Sequence, residues 1–389
     1  MDCDVIVIGG GPAGLAFARG LASSSLAIVL VERQSLAALA EPADDGREIA
    51  LTHRSADRLK RLGAWDHIDP TQVAPLSAAR VLNGASPFAL AFGPAEGCGG
   101  RLGQLVSNWR LRRALFAATE GQTSLNIRAG AGVTGLRRSD SGVEVELTDR
   151  TRLRARLLVA ADSRFSETRA RLGIAADICR LGKSMLVVPV EHQRPHDGVA
   201  LEWFGHGQTI ACLPLADPLR SSVVLTLPED AIARLAMAEP ALLAEELSRR
   251  SAARLGPLRP LSRPFVYPLA TVWSRHFAAP RAALIGDAAV GMHPVTAHGF
   301  NLGLLGAATL ATRVTAAARS NGDIGAATVL RGYETTHRLA AAPLFAATGA
   351  IVRLFTDDRP AARLARPALL RAASLAPVRA GVSRLLARH

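Results

Sequence analysis

Cysteine is scarce in this 389-residue chain: Cys3, Cys98, Cys179 and Cys212 stand far apart, with no CxxC and no paired spacing. That pattern excludes a disulfide framework and a zinc site, and leaves four reduced side chains. Long apolar runs are missing as well, although 49% of the residues are hydrophobic. No segment approaches the roughly 20 apolar residues that span a bilayer. Aromatic residues make up 4% of the chain, and no basic block is interleaved with them. The net charge of +13 therefore does not mark a nucleic-acid surface, because it is carried by arginines spread along the chain. Internal repeats and low-complexity linkers are absent, which excludes a solenoid. Ahead of DVIVIGG there is no basic segment with an apolar core, so no signal peptide is visible and a cytoplasmic protein is expected.

What is present begins at once. Length and apolar content suffice for a large core and lead to an expectation of two domains. In DVIVIGGGPAGLAFARGLASSSLAIVLVER, residues 4 to 33, a short and fully apolar strand precedes Gly9, Gly11 and Gly14 in GxGxxG spacing. A small-residue helix and a second strand ending on Glu32 follow. Each part has a physical reason: Gly9 permits a tight turn, Gly11 lets a pyrophosphate approach the backbone, and Gly14 lets helix and strand pack closely. Pro12 suits a first helical turn, whose positive end faces the phosphates, with Ala13 in the same turn. Glu32 is placed to accept hydrogen bonds from a ribose diol, with Arg33 beside it. A second GxGxxG, at Gly130, Gly132 and Gly135, is followed by the alternating strand GVEVELTD and by no helix. Phosphate binding needs the helix start, so this copy reads as a sheet turn and the chain has one dinucleotide unit.

This opening, LVAADSRFSETR at 158 to 169 and LIGDAAVGMHPVTAHGFNLG at 284 to 303 come in the order and spacing of the class A flavoprotein monooxygenases. With GREIALTHRSADRLKRLGAW at 46 to 65, the chain resembles their ubiquinone-biosynthesis hydroxylase branch, and its 284 to 303 wording is most similar to the demethoxyubiquinol hydroxylases of UbiM type. The resemblance implies bound FAD, NADPH or NADH as a transient co-substrate, O2, and hydroxylation of an electron-rich aromatic ring such as a prenylated quinol. It also implies that Gly9, Gly11, Gly14 and Glu32 hold the ADP half of FAD. Arg47 is implied near the flavin and its pyrophosphate, as a cofactor-binding and catalytic residue. Gln104 is implied in the segment that approaches FAD, Asp162 as the acid of the DG motif serving FAD and the nicotinamide, and Asp287 as the acid that binds the ribityl chain. Two departures stand out: Ser163 replaces the glycine of DG, and Val290 replaces the histidine of GDAAH, while His298 stands where glutamine is common.

For such chemistry the chain must supply positioning, dryness and positive potential. Gly299 to Gly303, with Phe300 and Asn301, open a long Ala- and Leu-rich helix whose N–H groups face the flavin, and Pro294 shapes the turn before it. A base near the ring would help. His293, His298, His192 and His206 are candidates, each also readable as a satisfied structural histidine, and His298 is the first choice because it immediately precedes that helix. A metal reading of His293 and His298 fails on their spacing across a proline loop.

The expected fold is α/β: an FAD/NAD(P)-binding Rossmann-like domain, a second, mostly antiparallel β-sheet substrate domain, and C-terminal helices. The cofactor domain is discontinuous, taking 1–75, 100–177 and 268–355. The substrate domain takes 76–99 and 178–267, where SMLVVPVEH, GVALEWF, TIACLPL and SSVVLTL read as strands. Trp203, Phe204, Leu213 and Tyr267 are candidates for a ring pocket, or plain core. ALLAEELSRRSAARLG, 241 to 256, reads as a helix ended by glycine. Residues 356–389 read as basic amphipathic helices that either meet a membrane surface or lipid-like substrate, or pack on the body with their arginines in water. Peripheral contact with the inner face of a membrane, or with a quinone-biosynthesis complex, follows from the first alternative. Competing functions are a tailoring hydroxylase of a secondary-metabolite phenol, which fold alone does not separate, and a flavin-bound scaffold of a biosynthetic complex.

Overall fold

The structure is a computed structural model and describes residues 1–84, 86, 88–93, 100–205, 207–356 and 371. His206, Cys98 and nearly all of the expected C-terminal helices lie outside the described residues.

The first strand, Val5–Ile8, has no exposed position because it lies mid-sheet, between Ile28–Glu32 and Leu157–Ala160, parallel to both. Leu125–Ala129 and Ala282–Leu284 extend this sheet in the same direction, and Ala278–Ala279 closes one edge antiparallel. Strands buried on both faces need continuous apolar sequence, which is why VIVI and LLVA carry no alternation. The helix Pro12–Gly20 packs on this sheet and against a 21-residue helix, Gly299–Arg319. The second GxGxxG joins Leu125–Ala129 to Val133–Arg138, the first strand of a three-stranded antiparallel meander, with no helix between.

A nine-stranded sheet forms the second layer. Its spine is the 16-residue strand Ala176–Glu191, paired antiparallel with Phe265–Ser274 on one side and Arg220–Pro228 on the other. Gln208–Pro214 and Val199–Gly205 continue it antiparallel, and Ala78–Asn83 joins in parallel. The edges expected near residues 177 and 267 fall close to the start of Ala176–Glu191 and inside Phe265–Ser274, so two continuous strands carry the chain between layers.

Alternation sorts the sheet's residues by face. Leu186, Val188, Ile210, Cys212, Val223 and Leu225 point outward into a core with the helices Glu229–Ala236 and Pro240–Arg250. That second helix ends before the glycine expected to stop it: Ser251 caps it, and Ala252 and Ala253 take left-handed conformations (φ +50° and +46°) ahead of Gly256. A 30-residue helix, Ala327–Thr356, closes the fold, its buried Tyr333 hydroxyl donating to the carbonyl of Leu284. Among the described residues no helix is long and apolar enough to cross a membrane.

Candidate functional site

A cavity of about 1020 Å³ lies between the two layers. That is the upper end of the range for ligand sites, roughly 300–1,000 Å³. One end is built by the βαβ unit. A Cβ on Gly9 would stand 2.5 Å from the carbonyl oxygen of Ala161, and one on Gly14 would collide with the carbonyl of Gly9 itself. These two glycines are required by packing. Gly11 differs: a Cβ there would meet nothing within 4 Å, because its backbone faces the cavity. It is also the N-cap of Pro12–Gly20, with no side chain capping the first turn and no acid in it. Uncapped N–H groups and a positive helix end beside open space fit a dinucleotide's pyrophosphate. Glu32 lines the same end, its two carboxylate oxygens accepting from the N–H of Gly10 (2.6 Å) and of Gln34 (2.9 Å), which fixes it at the tip of its strand. Arg33 also lines it, paired with Glu167 at 2.7 Å.

The motif loops meet on the opposite side. Asp162 lines the cavity while accepting hydrogen bonds from the Ser166 hydroxyl and the Thr168 N–H, so it anchors the short helix Glu167–Arg171. Ser163 takes a left-handed backbone, the conformation glycine adopts most readily (φ +79°), and also lines the cavity. Asp287 pairs with Arg164 at 3.0 Å. Arg164 also donates to Ala270, and the buried Arg169 donates to the carbonyls of Arg164 and Ala288, so two arginines brace the Asp162 loop against the Asp287 loop. Val290 is buried opposite Trp273 in a short strand pair, where it packs rather than faces the cavity.

Arg47 reaches the cavity with its guanidinium 2.6 Å from Asp45 and over the Tyr267 ring. Neighbouring Glu48, also at the wall, accepts from the Ser107 hydroxyl, yet burial pushes its pKa up to about 7. Pro294, Gly299 and Phe300 line the cavity at the start of Gly299–Arg319, which has no side-chain cap and no acid in its first turn.

Four expected site residues sit elsewhere. Gly14 packs against the Gly9 carbonyl and Ala161 and does not line the cavity. Asn301 is fully buried and binds backbone, donating to the carbonyls of Ala50 and Ala297 and accepting from the N–H of Thr52, so it staples the helix start to the strand Glu48–Leu51. Gln104 lies in the middle strand of a small sheet, off the cavity wall, with a buried Oε1 that has no partner among the described residues. His298 is buried at the N-cap and does not line the cavity, whereas His293 does. The Nδ1 of His293 accepts from the N–H of Val295, and burial with nearby Lys183 and Arg164 lowers its pKa to about 4. Its neutral ring therefore carries the proton on Nε2. His192 is a satisfied core residue, bound to the Arg194 carbonyl and the Ser221 hydroxyl.

The other end of the cavity is the inner face of the nine-stranded sheet. Leu213 and Tyr267 belong to its wall as expected from the sequence, but Trp203 does not. Adjacent strand residues point to opposite faces, so Trp203 lies outward against Arg254, donating to the Gly84 carbonyl, and Phe204 fills a separate small core with Leu90. The inward residue is Glu202, which sequence reasoning missed. Asn108 and Arg112, one helical turn apart, were missed too; Asn108 donates to Asp45 and Arg112 to Gln34.

The profile of the family described as "FAD binding domain" matches residues 2–347. The ubiquinone hydroxylase UbiM of Neisseria meningitidis is 42% identical over 97% of this chain and 82% of its own length. The ubiquinone hydroxylase UbiL of Rhodospirillum rubrum is 36% identical over 93% and 84%. The crystal structure of p-nitrophenol 4-monooxygenase PnpA from Pseudomonas putida is similar with a TM-score of 0.79 at 20% identity, covering 99% of this chain and 98% of that one. That last likeness shows the fold. Together with the open Gly11 cradle, a profile spanning most of the sequence and a relative as similar as UbiM mean that this chain belongs to the FAD-binding flavoprotein hydroxylase family that includes the ubiquinone hydroxylases.

Proposed function

We propose that this protein hydroxylates the ring of a prenylated quinol or phenol in ubiquinone biosynthesis, using NAD(P)H and O2. One observation carries the reading: one continuous cavity joins a dinucleotide cradle to an apolar sheet face wide enough for a ring. The relatives named as ubiquinone hydroxylases supply the substrate class.

In this reading Gly9 and Gly11, with the first turn from Pro12 and Ala13, would hold the pyrophosphate of FAD, and Glu32 and Arg33 its adenosine side. Arg47, Asp162 and Asp287 would flank the remainder, and the start of Gly299–Arg319 would meet the ring system. Bound FAD supplies electron transfer from NAD(P)H and activation of O2. The rest is the chain's own work. The positive end of the Gly299–Arg319 helix favours negative charge beside it. Met185, Val187 and Val224 keep water from the reacting ring. Arg47, held by Asp45 and Tyr267, is pre-oriented toward the cavity, so little entropy is lost when it engages an anion. The described residues of 76–99 and 178–267 would belong to the substrate domain, and those of 1–75, 100–177 and 268–355 to the cofactor domain. A prenylated substrate lies in lipid, and the arginine-rich sequence beyond Arg353 fits peripheral contact with an anionic membrane.

The test is turnover by purified protein. Bound FAD, faster NADPH consumption on adding a short-chain demethoxyquinol, and a product one oxygen heavier when labelled O2 is used are the expected results. A protein that binds no flavin, or one whose turnover oxygenates no quinol or phenol, overturns the reading.

A further inference from the structure

The inner face of the nine-stranded sheet is apolar along Met185, Val187, Ala211, Leu213 and Val224, and three polar side chains interrupt it: Glu202, Thr209 and Thr226. Glu202 stands opposite Ala211, two residues along the strand from Thr209, and Thr209 stands opposite Thr226. All three line the cavity, and none of their side chains has a hydrogen-bond or ion-pair partner among the described residues. Each of the three is half-buried and opens onto the cavity, so its hydrogen bonds are left to whatever fills that space.

We propose that Glu202 is the catalytic residue that accepts the substrate's ring-hydroxyl proton, with Thr209 and Thr226 hydrogen-bonding the ring's other oxygen substituents. The inference rests on the hydroxylase reading above and names the base at that site. The ring O–H bond breaks, its proton forms an O–H bond on the Glu202 carboxylate, and the electron pair stays on the ring oxygen. The ring becomes richer in electrons, as oxygen transfer to carbon requires, and nothing else is oxidised or reduced in this step. The proton returns to the product oxygen or leaves to water as product departs.

Glu202 suits this role because no cation among the described residues holds it ionised. Burial alone pushes its pKa up to about 8, close to working pH, where a base is most effective. On the neighbouring strands the ionisable groups are Cys212, raised to about 12 on the outward face, and exposed Arg80. Across the cavity stand Arg47, Glu48, Arg164, Asp287 and neutral His293, and on the same sheet Tyr267, whose hydroxyl donates to the Asp45 carbonyl.

The experiment compares FAD-loaded wild type with Glu202→Gln and Glu202→Asp, using a methoxy-methylhydroquinone bearing one prenyl unit as probe. In wild type kcat/KM rises with pH through a limb near pH 8. Glu202→Gln keeps wild-type FAD content, loses that limb, and hydroxylates about 100-fold more slowly or worse, the span expected of a general base. Glu202→Asp recovers part of the rate and the limb. Binding is read separately, from the change in flavin absorbance on adding the probe: wild-type affinity varies with pH across that range and the Gln variant's does not. Equal binding and equal pH profiles in wild type and Glu202→Gln overturn the assignment. Wild type that oxygenates no quinol or phenol sinks the hydroxylase reading instead, and the binding comparison still decides whether Glu202 meets the ring.

Discussion

The two ends of the cavity are built by opposite means. At the dinucleotide end backbone forms the wall: side chains are absent at Gly9 and Gly11, and the acids nearby are already tied to backbone N–H groups. At the sheet end side chains form the wall, and Glu202, Thr209 and Thr226 have no partner among the described residues. The first end is held rigid by hydrogen bonds that already tie its acids to backbone. The second leaves its hydrogen bonds to be completed by whatever enters.

The sharpest break is Gly14→Ala. Its Cβ would overlap the Gly9 carbonyl, so a cost of at least about 3 kcal/mol is expected, read as loss of soluble, FAD-loaded protein. Gly11→Ala tests the same end without a packing clash. Because its Cβ enters open space, the FAD-free protein should melt within a degree or two of wild type, while the Kd for FAD, measured by fluorescence titration, rises about 10- to 100-fold. Equal effects of the two substitutions would erase the distinction between packing and ligand-facing glycines.

At the sheet end Glu202→Gln has a consequence for stability. Between pH 4.5 and about 8 the folded chain keeps a proton at Glu202 that the unfolded chain has released, so stability falls as pH rises through that window. The Gln variant lacks this loss. Its Tm advantage over FAD-free wild type should be larger at pH 8.5 than at pH 5, and an advantage independent of pH would show that Glu202 ionises freely. The smallest effect is expected between the ends, at Ser163. A left-handed non-glycine residue costs roughly 1–2 kcal/mol, partly offset by glycine's greater unfolded-state freedom, so Ser163→Gly should stabilise by about 0.5–1 kcal/mol in urea unfolding.

The same division explains what could be read from the sequence. Backbone recognition leaves a fixed trace, because only glycine fits where a carbonyl or a phosphate must approach. GGGPAG with its flanking apolar strands was thus legible as a strand–turn–helix unit, and DSRFSETR and GDAAVG contribute to the wall of the same cavity. Side-chain recognition on a strand leaves only an alternation, and alternation does not say which parity faces inward. In ALEWF the aromatic Trp203 drew attention as a pocket residue, yet the inward member of the pair is Glu202. His298 and Asn301 misled for a related reason: a helix start presents backbone to the cavity while its side chains turn back into the fold. The bracing by Arg164 and Arg169 joins loops more than 100 residues apart, and no local pattern announces it.

The outward face of the nine-stranded sheet has a bearing on how such a protein diversifies. Leu186, Val188, Ile210, Val223 and Leu225 anchor the sheet to its covering helices, while their immediate neighbours in sequence look into the cavity. Every second codon along these strands can therefore drift under selection for a new ring or tail while the intervening codons hold the fold. A lineage of such enzymes can change its chemistry of recognition without first becoming unstable.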